Sequence, residues 1–115
     1  MGKSGEDLAV GRLKSLGYRV LERNYRCPLG EIDVVAEEDG YLVFVEIKTR
    51  RGGSIGDAKA AVDPRKQRRI TRVAQHYLKT RSRIEQRSRF DVVAVSLNQG
   101  RERIEVVRAA FEAIP

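Results

Sequence analysis

The sequence predicts an α/β domain with a central sheet of about five strands flanked by helices, in the order α-β-β-β-α-β-β. Three observations lead there. A chain of 115 residues with 41% hydrophobic and 34% charged side chains has room for one packed core and none for a second domain. Two stretches rich in Val, Ile, Phe and Tyr, Gly30–Ala36 and Tyr41–Lys48, flank Glu38-Asp39-Gly40 and read as the arms of a hairpin. Asp63-Pro64 then opens a stretch with apolar spacings of three and four, a helix that separates the hairpin from two further strands.

The first element is a helix from about Ser4 to Leu16, with Ala9, Val10, Leu13 and Leu16 on one side, Ser4 as its cap and Gly17 as its stop signal. Glu6 falls on the apolar side, near Val10 and Leu13, whereas Asp7 and Lys14 point away. Glu6 has two readings at this stage, an acid favoured at a positive helix start and an acidic group aimed at the sheet. Tyr18–Arg26 follows as a strand with imperfect alternation and ends at the Pro and Gly of Cys27-Pro28-Leu29-Gly30.

In the hairpin, Asp39-Gly40 is a favoured two-residue connection, because Gly accepts the positive φ of a primed turn. Setting Glu38 opposite Tyr41 pairs Val35 with Phe44, Asp33 with Glu46, and Glu31 with Lys48, all four charges projecting from one face. Opposed carboxylates destabilise a sheet by themselves, and here they interrupt apolar strands. Two compensations are open. A divalent cation would suit paired hard oxygen ligands, with Lys48 beside it to orient or activate water; alternatively Lys48 pairs with Glu31, and Asp33 and Glu46 lie on a solvated face.

Thr49–Ser54 is expected to leave the second arm as a flexible basic loop, whose Arg50 and Arg51 could meet phosphates. The second helix has Asp63 as cap, Pro64 at its first position, and a buried stripe of Ile70, Val73, Ala74, Tyr77 and Leu78. That stripe carries Lys66 and Gln67 onto the buried side, as residues that snorkel at the core edge or contact a nucleic-acid backbone. Arg65, Arg68 and Arg72 project elsewhere, and Arg68, Arg72 and Lys79 read as a solvated basic face. His76, at the margin of the stripe without a nearby Cys or second His, reads as structural. Arg81–Arg89 is expected as a loop, Phe90–Leu97 as a strand, Asn98-Gln99-Gly100 as a turn, Arg103–Val107 as a strand, and the tail Arg108–Ile114 as a short helical turn.

Composition narrows the function classes. With 23 Lys and Arg against 16 Asp and Glu, the net charge is +7 and the pI near 10, which favours polyanionic partners such as nucleic acid. Cys27 is the only cysteine, so no internal disulfide and no multi-Cys zinc site can form. No apolar run approaches the length of a membrane span and no secretory signal is seen, so the expected location is the cytoplasm, without membrane partners.

Gly5-Glu6 with Ala9, Gly30-Glu31-Ile32-Asp33, and Phe44-Val45-Glu46-Ile47-Lys48-Thr49-Arg50, in the order helix, strand, acidic hairpin, helix, strand, together resemble the PD-(D/E)XK nuclease superfamily. The closer likeness is to the small bacterial YraN-like proteins, an uncharacterised family related to archaeal Holliday junction resolvases, and it covers nearly the whole chain. Ile32 stands where the superfamily's name has Pro. The resemblance implies a restriction-endonuclease-like core built on a mixed sheet. It implies Mg²⁺ or Mn²⁺ held by Asp33, Glu46, the Ile47 backbone carbonyl and Glu6, with Lys48 positioning the attacking water or stabilising the phosphate. Arg50, Arg51, Lys66, Gln67 and Arg69 are the expected nucleic-acid contacts. The implied reaction is hydrolysis of DNA phosphodiesters, with branched or junction DNA as the candidate substrate, and a symmetric homodimer, although no apolar stripe demands one. Two alternatives stand beside it, a nucleic-acid-binding module without turnover and a protein-interaction domain whose charges form a structural network. Low-salt binding to nucleic acid separates the last from the others.

Overall fold

The computed structural model describes residues 4–51, 62–98 and 100–114. Its elements are α1 (Gly5–Ser15), β1 (Arg19–Cys27), β2 (Gly30–Glu38), β3 (Tyr41–Arg51), α2 (Pro64–Thr80), β4 (Ser88–Asn98) and β5 (Arg101–Phe111). The strands form one sheet in the order β1-β2-β3-β4-β5. β3 and β4 are parallel and the other neighbours antiparallel, as a crossover helix between β3 and β4 requires. This is the mixed, five-stranded α/β fold expected.

Both helices start where their caps place them. The Ser4 hydroxyl accepts the Asp7 N–H (3.1 Å) and the Asp63 carboxylate accepts the Lys66 N–H (2.9 Å), each satisfying a donor that the first turn leaves free. The two helices cover opposite faces of the sheet. Ala9, Val10 and Leu13 of α1 pack on Val34, Ala36, Val43, Val45, Val93 and Val95. Ile70, Val73, Ala74 and Tyr77 of α2 pack on Ile32, Val35, Leu42, Phe44, Val92 and Ala94. Alternate residues of β3 therefore serve alternate cores, and Glu46, two residues beyond Phe44, falls on the α2 face.

The β2–β3 register runs Glu38↔Tyr41, Val35↔Phe44 and Val34↔Val45, as the turn dictates. Asp39 and Gly40 have φ of 52° and 81°, the positive pair of a type I′ connection. Pairing stops at Val34 and Val45, so neither the expected Asp33–Glu46 ladder pair nor the Glu31–Lys48 pair forms in the backbone register. Glu31 instead accepts from Arg26 at 2.7 Å.

Besides shifts of one or two residues, such as β4 starting at Ser88 inside the expected Arg81–Arg89 loop and β5 at Arg101, two boundaries differ from expectation. Thr49–Arg51 continue β3, hydrogen-bonded to Val95–Leu97 of β4, so no loop begins at Thr49; Gly52–Ser54 lie outside the described residues. The tail is not helical, because Arg108–Phe111 extend β5 to a Phe90↔Phe111 pair with the rings stacked 4.9 Å apart. Val92 pairs with Val107, so β5 carries extra residues there and bulges, with Ala109 at φ 50°.

Asp91 fills that bulge. It is fully buried and accepts the Ala109 N–H (2.9 Å), the Tyr18 hydroxyl (2.7 Å) and two Arg89 N–H groups (both 2.9 Å). Arg89 also donates to Glu38 (2.6 Å), which takes two further bonds from Arg108 (2.8 and 2.7 Å). Hydrogen bonds from Arg108, and then Arg89, hold the Glu38 carboxyl down at about 2 despite partial burial. This satisfied network locks the β5 tail to the β2–β3 turn end of the sheet.

Candidate active site

At the other end of the sheet, beyond the last β2–β3 pair, Asp33 Oδ2 accepts the Ile47 N–H at 2.7 Å. A side chain thus bridges strands where the ladder has ended. This fixes Asp33 beside Glu46, whose side chain is only 8% exposed. Burial, a hydrogen bond with Glu46 and the Glu46 charge push the Asp33 carboxyl up to about 7, against the Ile47 N–H and Lys66, which lower it. Burial first, and then the neighbouring Glu46 carboxylate, thus favour the protonated form of Asp33.

Two lysines answer this acidity. Lys66 Nζ lies 2.6 Å from Glu46 Oε2, and Lys48 Nζ lies 4.0 Å from the same oxygen. Burial is the largest influence on Lys66 and opposes its charge, but the contacts with Glu46 and Lys48 and the charges of Glu46 and Asp33 together outweigh it and raise its affinity for a proton. Lys48 moves the opposite way, lowered first by its neighbour Lys66 and then by burial. The expected snorkelling lysine of α2 is therefore an ion-pair partner inside the site, the signal for it being a Lys on the apolar stripe of an amphipathic helix.

The cleft has a volume of about 380 Å³ and is lined by Gly30, Glu31, Asp33, Glu46, Ile47, Lys66 and Arg69. Gly30 has a φ of 144°, and a Cβ there would lie 3.2 Å from Val73 Cγ2 and 3.4 Å from Arg69 Cγ. A glycine at this point lets α2 approach the start of β2, which brings Lys66 and Arg69 over the carboxylates.

Not every expected residue arrives. Glu6 rises from α1, on the face away from α2, and lies 3.5 Å from Arg23 of β1. Among the described residues no three Asp, Glu, His or Cys side chains are grouped to hold a metal ion, so the structure does not gather Glu6 with Asp33 and Glu46. The Gln67 amide donates to the Val62 carbonyl at 2.9 Å, which ties the helix start to the preceding backbone. Arg50 is exposed at the end of β3, while the Arg51 side chain lies outside the described residues. His76 is held by the Tyr25 hydroxyl at 2.6 Å, in keeping with a structural role.

The donor set suits a hard divalent cation. Asp33, Glu46 and the Ile47 carbonyl would all offer oxygen donors, and Mg²⁺ is commonly held by only one or two carboxylates together with water and substrate phosphates. No helix among the described residues is long and apolar enough to cross a membrane.

Residues 5–95, which include α1, the hairpin, α2 and all the residues of this cleft, match the family described as "Uncharacterised protein family UPF0102". The chain is 48% identical over 111 residues to a UPF0102 protein of Syntrophus aciditrophicus, covering 96% of this chain and 87% of that one. It is 47% identical over 113 residues to a UPF0102 protein of Moorella thermoacetica, covering 96% and 93%. A Caldicellulosiruptor saccharolyticus relative is 42% identical over 113 residues, covering 96% of both chains. Agreement at this level over nearly the full length of each chain makes this protein a member of the UPF0102 family.

Proposed function

We propose that this protein is a metal-dependent nuclease of the PD-(D/E)XK type that hydrolyses DNA phosphodiesters. The observation that carries the reading is the forced approach of Asp33 and Glu46 in an open cleft also lined by cations, within a protein of net charge +7. A structural ion pair needs one carboxylate, and a second one pressed against it destabilises the fold. Mg²⁺ or Mn²⁺, held by Asp33, Glu46 and the Ile47 carbonyl, would neutralise charge developing on the phosphate. Lys48, whose proton affinity is lowered by Lys66 and whose Nζ lies 4.0 Å from Glu46 Oε2, would hold the attacking water or a phosphate oxygen. Lys66 and Arg69, which line the same cleft, would add positive charge toward that phosphate.

A second reading, nucleic-acid binding without turnover, draws on the 2.6 Å Lys66–Glu46 contact, which satisfies one carboxylate with no metal present. Cleavage assays with Mg²⁺ and Mn²⁺ on linear, nicked, flapped and four-way DNA separate the two. The nuclease reading expects products that are lost in Asp33→Ala. Lys48→Ala should retain metal binding but lose turnover. Tight binding with no cleavage of any substrate would favour the second reading.

A further inference from the structure

Next to the carboxylate cleft lies a second hollow of about 350 Å³, lined by Leu29, Arg65, Arg68, Arg69 and Arg72. The two share Arg69. The arginine spacings of three, one and three place all four on one flank of α2, spread over about 10 Å of helix. None of them meets a carboxylate among the described residues, whereas Arg19, Arg23, Arg26, Arg81, Arg83, Arg89 and Arg108 all do. The first turn of α2 contains no acidic residue and instead carries Arg65 and Lys66, the wrong sign for a helix start. Four neighbouring, mutually repelling cations, of which only Arg65 lies in the first turn beside the Asp63 cap, call for an anion supplied from outside.

Leu29 gives that anion a shape. It is 49% exposed, on the two-residue Pro28-Leu29 turn closed by the Cys27↔Gly30 pair, with Pro28 stiffening the turn. The surface of a stacked duplex presents phosphates and sugars, which the arginines can hold but a leucine cannot use. A strand with a break in its stacking also presents the face of a base, for which an aliphatic wedge and guanidinium planes are suitable partners.

We propose that the arginine flank of α2 and the Pro28-Leu29 turn form a binding site for an unstacked nucleic-acid segment, with phosphates on the arginines and a base face on Leu29. This site would select substrate structure for the adjoining cleft. The proposal rests on nucleic acid being the ligand of that cleft, but does not require turnover.

The test is fluorescence anisotropy in chelator at low salt, with a fully paired DNA duplex and the same duplex carrying a central single-stranded gap. The wild type should bind the gapped probe about tenfold more tightly, the order of effect of one base contact. Leu29→Ser should bring the gapped affinity down to that of the duplex and leave the duplex value unchanged. The Arg65→Ala, Arg68→Ala, Arg72→Ala triple variant should weaken both and flatten the salt dependence. All four residues lie on the surface, and circular dichroism checks that each variant is folded. Equal wild-type affinities, or a Leu29→Ser protein that keeps the preference, would overturn the wedge and leave the nucleic-acid reading in place. Failure to bind either probe would remove the nucleic-acid reading itself. Displacement of both probes by polyglutamate at matched charge concentration would overturn the assignment to nucleic acid in favour of acidic polymers in general.

Discussion

Asp33→Asn is expected to stabilise the metal-free protein at alkaline pH while removing its response to metal. Asn keeps an oxygen that can accept the Ile47 N–H, so the strand bridge at 2.7 Å survives and only the charge is lost. The wild-type carboxyl moves from 3.8 in the unfolded chain to about 7 in the fold. Below pH 3.8 both states hold the proton and the site costs nothing. Between these values the unfolded chain ionises first, so stability falls as pH rises and the penalty is complete above pH 7. A shift of that size caps the penalty at ~4 kcal/mol. Partial exposure of the site and the nearby Lys66 reduce it to about 1–2 kcal/mol, or roughly 4–8 °C in Tm for a chain of this size. Urea and thermal unfolding in chelator at pH 8 and pH 4 should show the Asn protein ahead at pH 8 and level at pH 4. Mg²⁺ or Mn²⁺ should raise the wild-type Tm and leave that of the variant unmoved. An Asn protein less stable than wild type at pH 8, or one with the full metal shift, would mean that the carboxylate serves the fold, and the argument from opposed charges would fail.

Further outcomes follow from the other end of the sheet and from one close contact. Arg89→Met leaves the buried Asp91 without its cation and should cost about 3–5 kcal/mol, of which Arg89→Met, Asp91→Asn recovers a large part; a urea cycle with no coupling would refute the network. The Glu38 carboxyl, held at about 2 against an ordinary 4.5, contributes stability above pH 4.5 that is lost as pH falls towards 2. With Arg108 partly exposed, roughly 2 kcal/mol is expected, so the acid limb of the stability profile should flatten in Glu38→Gln. A Cβ at Gly5 would lie 2.3 Å from Thr49 Oγ1, and Gly5→Ala should cost about 1–3 kcal/mol by overpacking, partly relieved by Thr49→Ala; unfolding midpoints decide both.

Local rules carried the sequence reading as far as contacts stayed local. Ser4, Asp63-Pro64 and Asp39-Gly40 each act within four residues, so caps and turn were legible, and the turn alone set the hairpin register through Val34 and Val45. The Asp33–Glu46 approach was legible for the same reason. Where that register ends was not, because the Ile47 N–H goes to a side chain rather than along the ladder, and Glu31 finds Arg26. The tail was misread as helical because its strand character comes from Phe90, Asp91 and Glu38, which are distant in sequence and adjacent only after folding. Lys66 could be seen on the inner side of its helix, yet that it pairs with Glu46, while Glu6 meets Arg23 and Gln67 the Val62 carbonyl, depends on how each helix sits on its face of the sheet. Helical spacing fixes the direction of a side chain around its own axis; the partner it reaches is set by packing between elements, and that is where the fold turned paired acids into a cleft lined by cations.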